Sequence, residues 1–500
     1  MRRILVIGID GMDWPVLEPL LPDLPNIREI AERGAAGEMR SIFPPDSIPS
    51  WVSIFTGLDP SEHGILETID YFRKGVKSFS VDTAAFRGAT FWDRAGAAGS
   101  RVVVVNPLLA YPPWPVNGIM ASGPVFVSGS VAACPEEIEL RYEIPPLGGI
   151  VDFPEKGALA SFARKSVVET ERIVDFTAKL LADEPWNLAF VTLLTLDRMF
   201  HFFWRYQDPA DPTHPRRSPH AGVIRDFHLF LDRCIGKLRA SAGKDALILI
   251  VSDHGHGMRA PLQFNLNELL RQNGLLKGRF KGPAALSPRY HIDTAKNLTL
   301  ELLHRLDLED LSYRIAHLFP WTRKLKKGDF LTKPSENIAT ASEFGGANPF
   351  GGVEISKARC VEAGVDYEEL RGRIIALLAG TTDRLGRPVF LWARRREELY
   401  RGQRIDRYPD ILYEMRPDYG TNWSIHRPLV TINPRHRKIS GGHRPSGVMI
   451  AGPLGEWRVR AEAVSPLNVT ASVLAFLADG RPEATERLGS APGESFLEKR

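Results

Sequence analysis

The sequence predicts an α/β protein built around a mainly parallel sheet, and two patterns carry that expectation. Short continuous apolar runs, clearest at Ile4 to Ile9, Arg101 to Val105, Leu188 to Leu194 and Ala246 to Val251, have the character of strands buried on both faces. Amphipathic stretches lie between them, such as Val167 to Leu181, in which Val168, Ile173, Val174, Phe176, Leu180 and Leu181 fall roughly on one helical face. Helices on both faces of such a sheet give a three-layer α/β/α sandwich. At 500 residues the chain can hold one large sheet plus inserted small subdomains, and no internal repeat with a period of about 20 to 50 residues is visible.

Composition narrows the function. Lys and Arg number 64 against 60 Asp and Glu, so the formal charge is only +4 and binding to a nucleic acid polymer is not expected. Three widely spaced cysteines, Cys134, Cys234 and Cys360, build neither a disulfide framework nor a CxxC metal site and are expected as buried thiols. The first apolar run is interrupted by Asp10 and Asp13, too early for a secretory signal, and no stretch has the length of a transmembrane segment. A cytoplasmic protein is the expectation.

Along the chain, the catalytic α/β core is expected over residues 1–263, 345–360 and 440–500, the last part with a His443 loop and a C-terminal helix. An insertion at 264–344 is partly helical and basic, with Arg323, Lys324, Lys326 and Lys327 following Phe319, Pro320 and Trp321; a solvated face or a membrane surface would both suit that run. A second insertion, 361–439, reads as a small α+β unit. The Pro/Asp/His-rich stretch Asp208 to His220 reads as an exposed loop.

Four constellations carry chemistry. Asp10 ends the first strand, at the sheet edge where open α/β proteins bind ligands, although a turn or cap aspartate looks the same. Asp253 and His254, in the run Asp253 to Gly257, follow the strongest apolar strand and are placed to ligate one divalent cation. Asp197 and His201 are four residues apart, one helical turn, so both side chains share a face. His443 lies in the glycine-flanked run Gly441 to Gly447, just before the strand-like Val448 to Ala451, a run that taken alone suits a surface turn better than a presented ligand. For His443 to reach the same edge while preceding its strand, that strand must run antiparallel to the others, which makes the sheet mixed. Together these residues offer three carboxylates and three imidazoles, a mixed N/O set for two divalent ions, best suited to Zn²⁺ with Mn²⁺ as an alternative. Arg198 and Arg444 adjoin the ligands and could contact a phosphate or pair with carboxylates.

The remaining requirement is a nucleophile. Ser47 to Gly57 has helical periodicity, with Ile48, Val52 and Phe55 on one face, Pro49 in the first turn and Gly57 as the stop. Ser47 is thereby expected at the N-cap, where free N–H groups and the helix dipole favour a phosphate.

Five segments, in order IGIDGMDW, SIPSWVSIFTGLDPSEHGI, TLDRMFHFFW, VSDHGHG and GGHRPSG, give the chain its family likeness. It resembles the alkaline phosphatase superfamily, and within it the type I phosphodiesterase/nucleotide pyrophosphatase family, from Ile4 to about Phe476. The resemblance implies that Asp10, Ser47, Asp253 and His254 hold one metal and that Asp197, His201 and His443 hold the other. It also implies that Ser47 attacks phosphorus, that a phosphoseryl intermediate forms, and that the substrate is a small phosphate ester. Ser50 stands near the position of a phosphoryl-binding asparagine in nucleotide pyrophosphatases. Sulfatases share the pattern Ser47, Ile48, Pro49, Ser50, but here Trp51 replaces their arginine. A phosphomonoesterase or a phosphosugar mutase of the same superfamily is the alternative enzyme, and a noncatalytic phospholigand-binding protein is the alternative outside enzymes.

Overall fold

The computed structural model describes residues 2–66, 83–125, 129–149, 153–278, 286–311, 314, 332, 336–344, 347–479 and 492–500. The basic run Arg323 to Lys327 and the preceding Trp321 lie outside these residues. The chain forms two compact units: Met1–Gln207, Arg216–Gly257 and His443–Arg500 make the first, Asp208–Pro215 and Met258–Gly442 the second.

The first unit is built on eight strands: β1 (Ile4–Ile9), β2 (Ala35–Arg40), β3 (Val102–Val105), β4 (Gly118–Ser122), β5 (Ala132–Cys134), β6 (Leu188–Leu193), β7 (Leu247–Val251) and β8 (Ser446–Gly452). Their order across the sheet is β2-β8-β7-β1-β6-β3-β4-β5. Strands β7, β1, β6, β3 and β4 are mutually parallel. Strand β8 runs antiparallel to β7 and β2, as the His443 argument requires, and β5 runs antiparallel to β4. Every residue of β1, β3, β6 and β7 is buried, which is why these runs are apolar without alternation.

Alternate side chains divide the strands between two helical layers. Ile4, Val6, Val102, Val104, Leu188, Phe190, Leu247 and Leu249 pack with helices α1 (Ser47–Thr56), Phe91–Ala97 and α5 (Val469–Leu477). On the other side α2 (Leu159–Asp183) packs on β3 and β6, and α4 (Val223–Ala242) packs on α2, on α3 (Thr195–Gln207) and on Pro25–Glu32. Helix α2 begins earlier than its apolar run suggested, so its buried stripe is Phe162, Ser166, Thr170, Ile173, Thr177 and Leu181. Val168, expected on that face, falls outside the stripe and is exposed.

The second unit has a four-stranded antiparallel sheet in the order Ala339–Glu343, Phe350–Ile355, Ile411–Met415, Phe390–Arg395. Residues 345–360, expected as part of the catalytic core, belong here. Val353, Ile355 and Cys360 join an apolar cluster with Leu370, Ile374, Ile411 and Tyr413, so this segment supplies the centre of the smaller sheet rather than an edge of the larger one. The two expected insertions are therefore one folded unit. Of the Asp208 to His220 stretch, Asp208–Pro215 contributes to it as well: Asp211, far from exposed, is buried and accepts from His436 Nε2 at 2.9 Å. Cys234 and Cys360 are buried free thiols, and Cys134 is a half-buried one. Among the described residues no helix is long and apolar enough to cross a membrane.

Helix α1 is pinned from both ends. Asp46, with extended backbone, caps it by accepting from Ile48 N at 3.2 Å, and Gly57 closes it at φ +76°. Between them Trp51 and Phe55 join Phe91, Trp92 and Phe190, with Phe55 and Trp92 edge to face at 4.9 Å. Strand β1 makes room for this at Gly8, where a β-carbon would lie 2.5 Å from the Trp51 ring. Gly8→Ala is expected to lower unfolding free energy by roughly 1–3 kcal/mol, because the buried Trp51 has nowhere to move. Gly37→Ala, whose added methyl meets nothing within 4 Å, is the matched control in denaturant titration.

Candidate functional site

Strands β1, β6 and β7 are adjacent and in step, Ile4 pairing with both Leu188 and Leu247, so their carboxyl ends reach one edge together. Asp10 follows β1, Asp197 lies in the first turn of α3 after β6, and Asp253 follows β7. His443 enters the same edge because β8 is antiparallel. Thus the topology alone delivers residues far apart in sequence to one place.

Two groups of potential ligands form there. Asp10, Asp253 and His254 make one, and Asp197, His201, His256 and His443 the other; within each, one ligand atom per residue lies within 4.8 Å of all the rest. His254 and His443 stack with ring centres 3.9 Å apart and so join the two groups. In the first, His254 Nε2 is 3.3 Å from Asp253 Oδ2 and 3.7 Å from Asp10 Oδ1. In the second, Asp197 Oδ1 is approached by His201 Nε2 at 3.3 Å, His443 Nε2 at 3.4 Å and His256 Nε2 at 3.6 Å.

Backbone carbonyls fix two of the imidazole tautomers. His254 Nδ1 lies 3.0 Å from the Gly255 carbonyl and His443 Nδ1 lies 3.0 Å from the Pro45 carbonyl. A carbonyl can only accept, so each Nδ1 carries the hydrogen and each Nε2 lone pair is aimed inward. The consequence at His443 is a lone pair facing His201 Nε2 at 3.2 Å. Asp197 Oδ1, Asp253 Oδ2 and both ring nitrogens of His256 are buried without a hydrogen-bond partner among the described residues. Orphaned acceptors converging in this way fit a cation.

The electrostatics agree. Burial, then the charges of Asp253 and Asp197, push Asp10 well above the usual carboxylate range against the pull of the Trp51 and Ser47 donors. Burial likewise raises Asp253 to about 7, despite the Gly11 N–H that it accepts at 3.1 Å. Burial alone would raise Asp197, but His201 and His443 hold it well below its ordinary value. Burial opposes charge on His443, yet Asp197, Asp46 and Asp253 outweigh it and the imidazole is raised. That shift is the response of an imidazole whose Nε2 faces a carboxylate, and a cation accepting the Nε2 lone pair would answer the same charge.

Ser47 sits beside the first group: its Oγ donates to Asp10 Oδ1 at 3.2 Å and lies 3.0 Å from His254 Nε2. It is not the N-cap of α1, as expected, but the first helical residue. The aspartate before it outcompetes serine for the cap and already satisfies the Ile48 N–H. Trp51, one turn on, donates its indole N–H to Asp10 Oδ2 at 3.0 Å, tying α1 to the end of β1.

The expected substrate contacts are placed differently from the ligands. The Ser50 hydroxyl is fully buried 3.3 Å from Ser41 Oγ, and Ser41 donates to the Asp253 carbonyl at 2.5 Å, so this pair braces the Asp253 loop. Arg198 stacks on Phe153 and Phe202 at 4.9 and 5.1 Å. Arg444 donates to the His443 carbonyl at 2.9 Å. The sequence reading passes over His256, although its i, i+2 relation to His254 in extended chain, flanked by glycines, is the signal that identifies it. Asp13 is a second omission: it is buried, raised to about 6 by that burial, and accepts from His256 N at 3.2 Å and from the Ser446 hydroxyl.

Residues 4–341 match the family described as type I phosphodiesterase / nucleotide pyrophosphatase. Among solved structures, phosphonoacetate hydrolase from Sinorhizobium meliloti, in complex with phosphonoformate, is 16% identical, with 98% of this chain and 96% of that one covered and a TM-score of 0.49. An inactive murine ectonucleotide pyrophosphatase/phosphodiesterase 5, in complex with AMP, is 14% identical with both chains fully covered at 100% and a TM-score of 0.49. Its human counterpart is 14% identical over 95% of each chain with a TM-score of 0.48. No curated protein sequence matches the chain. With five ordered motifs converging on one sheet edge and a family match over more than half its length, the chain belongs to the type I phosphodiesterase/nucleotide pyrophosphatase family, a family of phosphoric ester hydrolases.

Proposed function

We propose that the protein hydrolyses small phosphodiesters with Ser47 as nucleophile and with two divalent cations, Zn²⁺ or in its place Mn²⁺, held by the two ligand groups. The observation that carries this reading is the position of Ser47 Oγ, within 3.2 Å of both Asp10 and His254 at the first turn of a helix whose neighbouring residues are locked by packing. Cations bound at Asp10, Asp253 and His254 and at Asp197, His201 and His443 would acidify the serine hydroxyl and neutralise charge on the phosphoryl oxygens.

In this reading the residues divide the work. Asp10 is oriented by Trp51 and itself orients the Ser47 hydroxyl; as Oγ bonds to phosphorus the bond to the ester oxygen breaks, and the hydroxyl proton ends on that departing oxygen. The resulting phosphoseryl ester is hydrolysed by a water attacking from the side of Asp197, His201 and His443, and two inversions leave the configuration at phosphorus retained. Arg198 is stacked on phenylalanines and Arg444 bonded to a carbonyl; the substrate in this reading is a diester, whose phosphoryl group carries less charge to neutralise than a monoester's. Three unpaired cysteines support a reducing compartment.

Two outcomes test the reading. Ser47→Ala should lower kcat on bis-p-nitrophenyl phosphate by about 10³-fold or more while bound metal, measured by elemental analysis, stays near wild type; normal turnover would remove Ser47 from its role. Metal uptake should also depend on pH with a defined sign. Asp253, at about 7 in the metal-free site, must lose its proton to become a ligand, so below pH 7 a cation competes with that proton. Apparent affinity should fall as pH drops below 7, by roughly tenfold per pH unit per displaced proton, as measured by chelator competition at fixed ionic strength.

A further inference from the structure

His256 is held where a buried imidazole has no ordinary purpose. Its backbone N–H is fixed by Asp13 Oδ2, and its ring lies flat on Phe200 with centroids 5.1 Å apart and planes 12° from parallel. Gly11 leaves room for the ring, since a β-carbon there would be 2.9 Å from His256 Nδ1. Gly255 is equally constrained: a β-carbon would meet Asp13 Oδ2 at 2.3 Å. The ring is thus clamped from several directions and is 1% exposed. Yet neither of its nitrogens has a hydrogen-bond partner among the described residues. A packing histidine normally bonds at least one, as His228 does to the Ile224 carbonyl at 2.8 Å. Instead, Nε2 points at Asp197 Oδ1 from 3.6 Å, with the His201 and His443 rings centred 4.7 and 5.3 Å away.

We propose that His256 is a fourth protein ligand at the Asp197, His201 and His443 position, so that the two cation positions are chemically unequal. This rests on the two-cation reading above. One position then has three imidazoles and one carboxylate, the closed four-ligand set that retains Zn²⁺ or Co²⁺ tightly and discriminates against Mn²⁺ and Mg²⁺. The other has two carboxylates, one imidazole and the Ser47 hydroxyl, richer in oxygen and more tolerant of Mn²⁺. Asp13 is the positioning residue that sets where the His256 backbone lies. A water at the closed position requires a fifth coordination place.

The test uses the full-length chain freed of metal. Stepwise Zn²⁺ chelator competition on the wild type should resolve two affinity classes, and Co²⁺ loading should give two distinguishable visible spectra. His256→Phe, which keeps the stacking on Phe200 and removes both nitrogens, should weaken the tighter class by more than about 100-fold, beyond what loss of an outer-shell partner produces. The looser class should shift by less than about threefold, and the Co²⁺ spectrum of the first ion alone should change. If His256→Phe binds both ions as the wild type does, His256 is a core residue and the proposal is overturned while the two-cation reading stands. If the wild type binds no divalent ion, both are overturned. Should the Phe variant not fold, as judged by its metal-free thermal unfolding, His256→Leu answers the same question, with retained affinity for both ions again counting against the ligand role.

Discussion

Three buried carboxylates within reach of one another are the constraint around which the first unit is organised. Asp10, Asp197 and Asp253 cannot all carry charge in a site shielded from water unless positive charge is placed among them. The chain surrounds them with imidazoles, three of them steered by a fixed backbone or ring contact: Pro45 for His443, Gly255 for His254, Phe200 for His256. Burial holds His201, His254 and His256 towards their neutral, lone-pair-bearing form and only His443 is raised, so these rings offer ligand atoms more than charge. The site is therefore highly preorganised for a cation and poorly satisfied without one, which is the condition under which binding energy, rather than chain packing, completes the structure.

The nucleophile candidate is positioned by a different kind of interaction. Ser47 owes its place to aromatic packing one turn further along α1, because Trp51 fills the space that Gly8 leaves on β1 and then reaches Asp10 with its indole N–H. Helix, strand and carboxylate are thus a single mechanical unit. The Asp46 cap adds to it while also consuming an N–H that a phosphate would otherwise use, so anion binding at this helix depends less on the open helix end than its sequence implies.

Much of this was legible in the sequence because parallel strands deliver the residues after them to one edge whatever their separation along the chain. Asp10, Asp197 and Asp253 follow from that rule, and the reversed direction of β8 follows from requiring His443 to join them. What was not legible depends on competition between near-equivalent neighbours. Asp46 and Ser47 are both good capping residues, and only the backbone decides between them. The strand Phe350–Ile355 offers Phe350, Val353 and Ile355 for burial, and nothing local says which sheet it completes. His256 looks like the second half of a glycine-rich turn until Gly11 and Phe200 are brought around it.

The placement of β8 has a consequence for the order of events during synthesis. It lies between β7 and β2 and pairs with both, so β2 has no strand partner among the described residues until a segment about four hundred positions later has been made. Until then a nascent polypeptide exposes an open edge along β7 and lacks His443, and any ion captured early would sit in a partial cage. Completion of the pocket and closure of the sheet consequently await the same late segment.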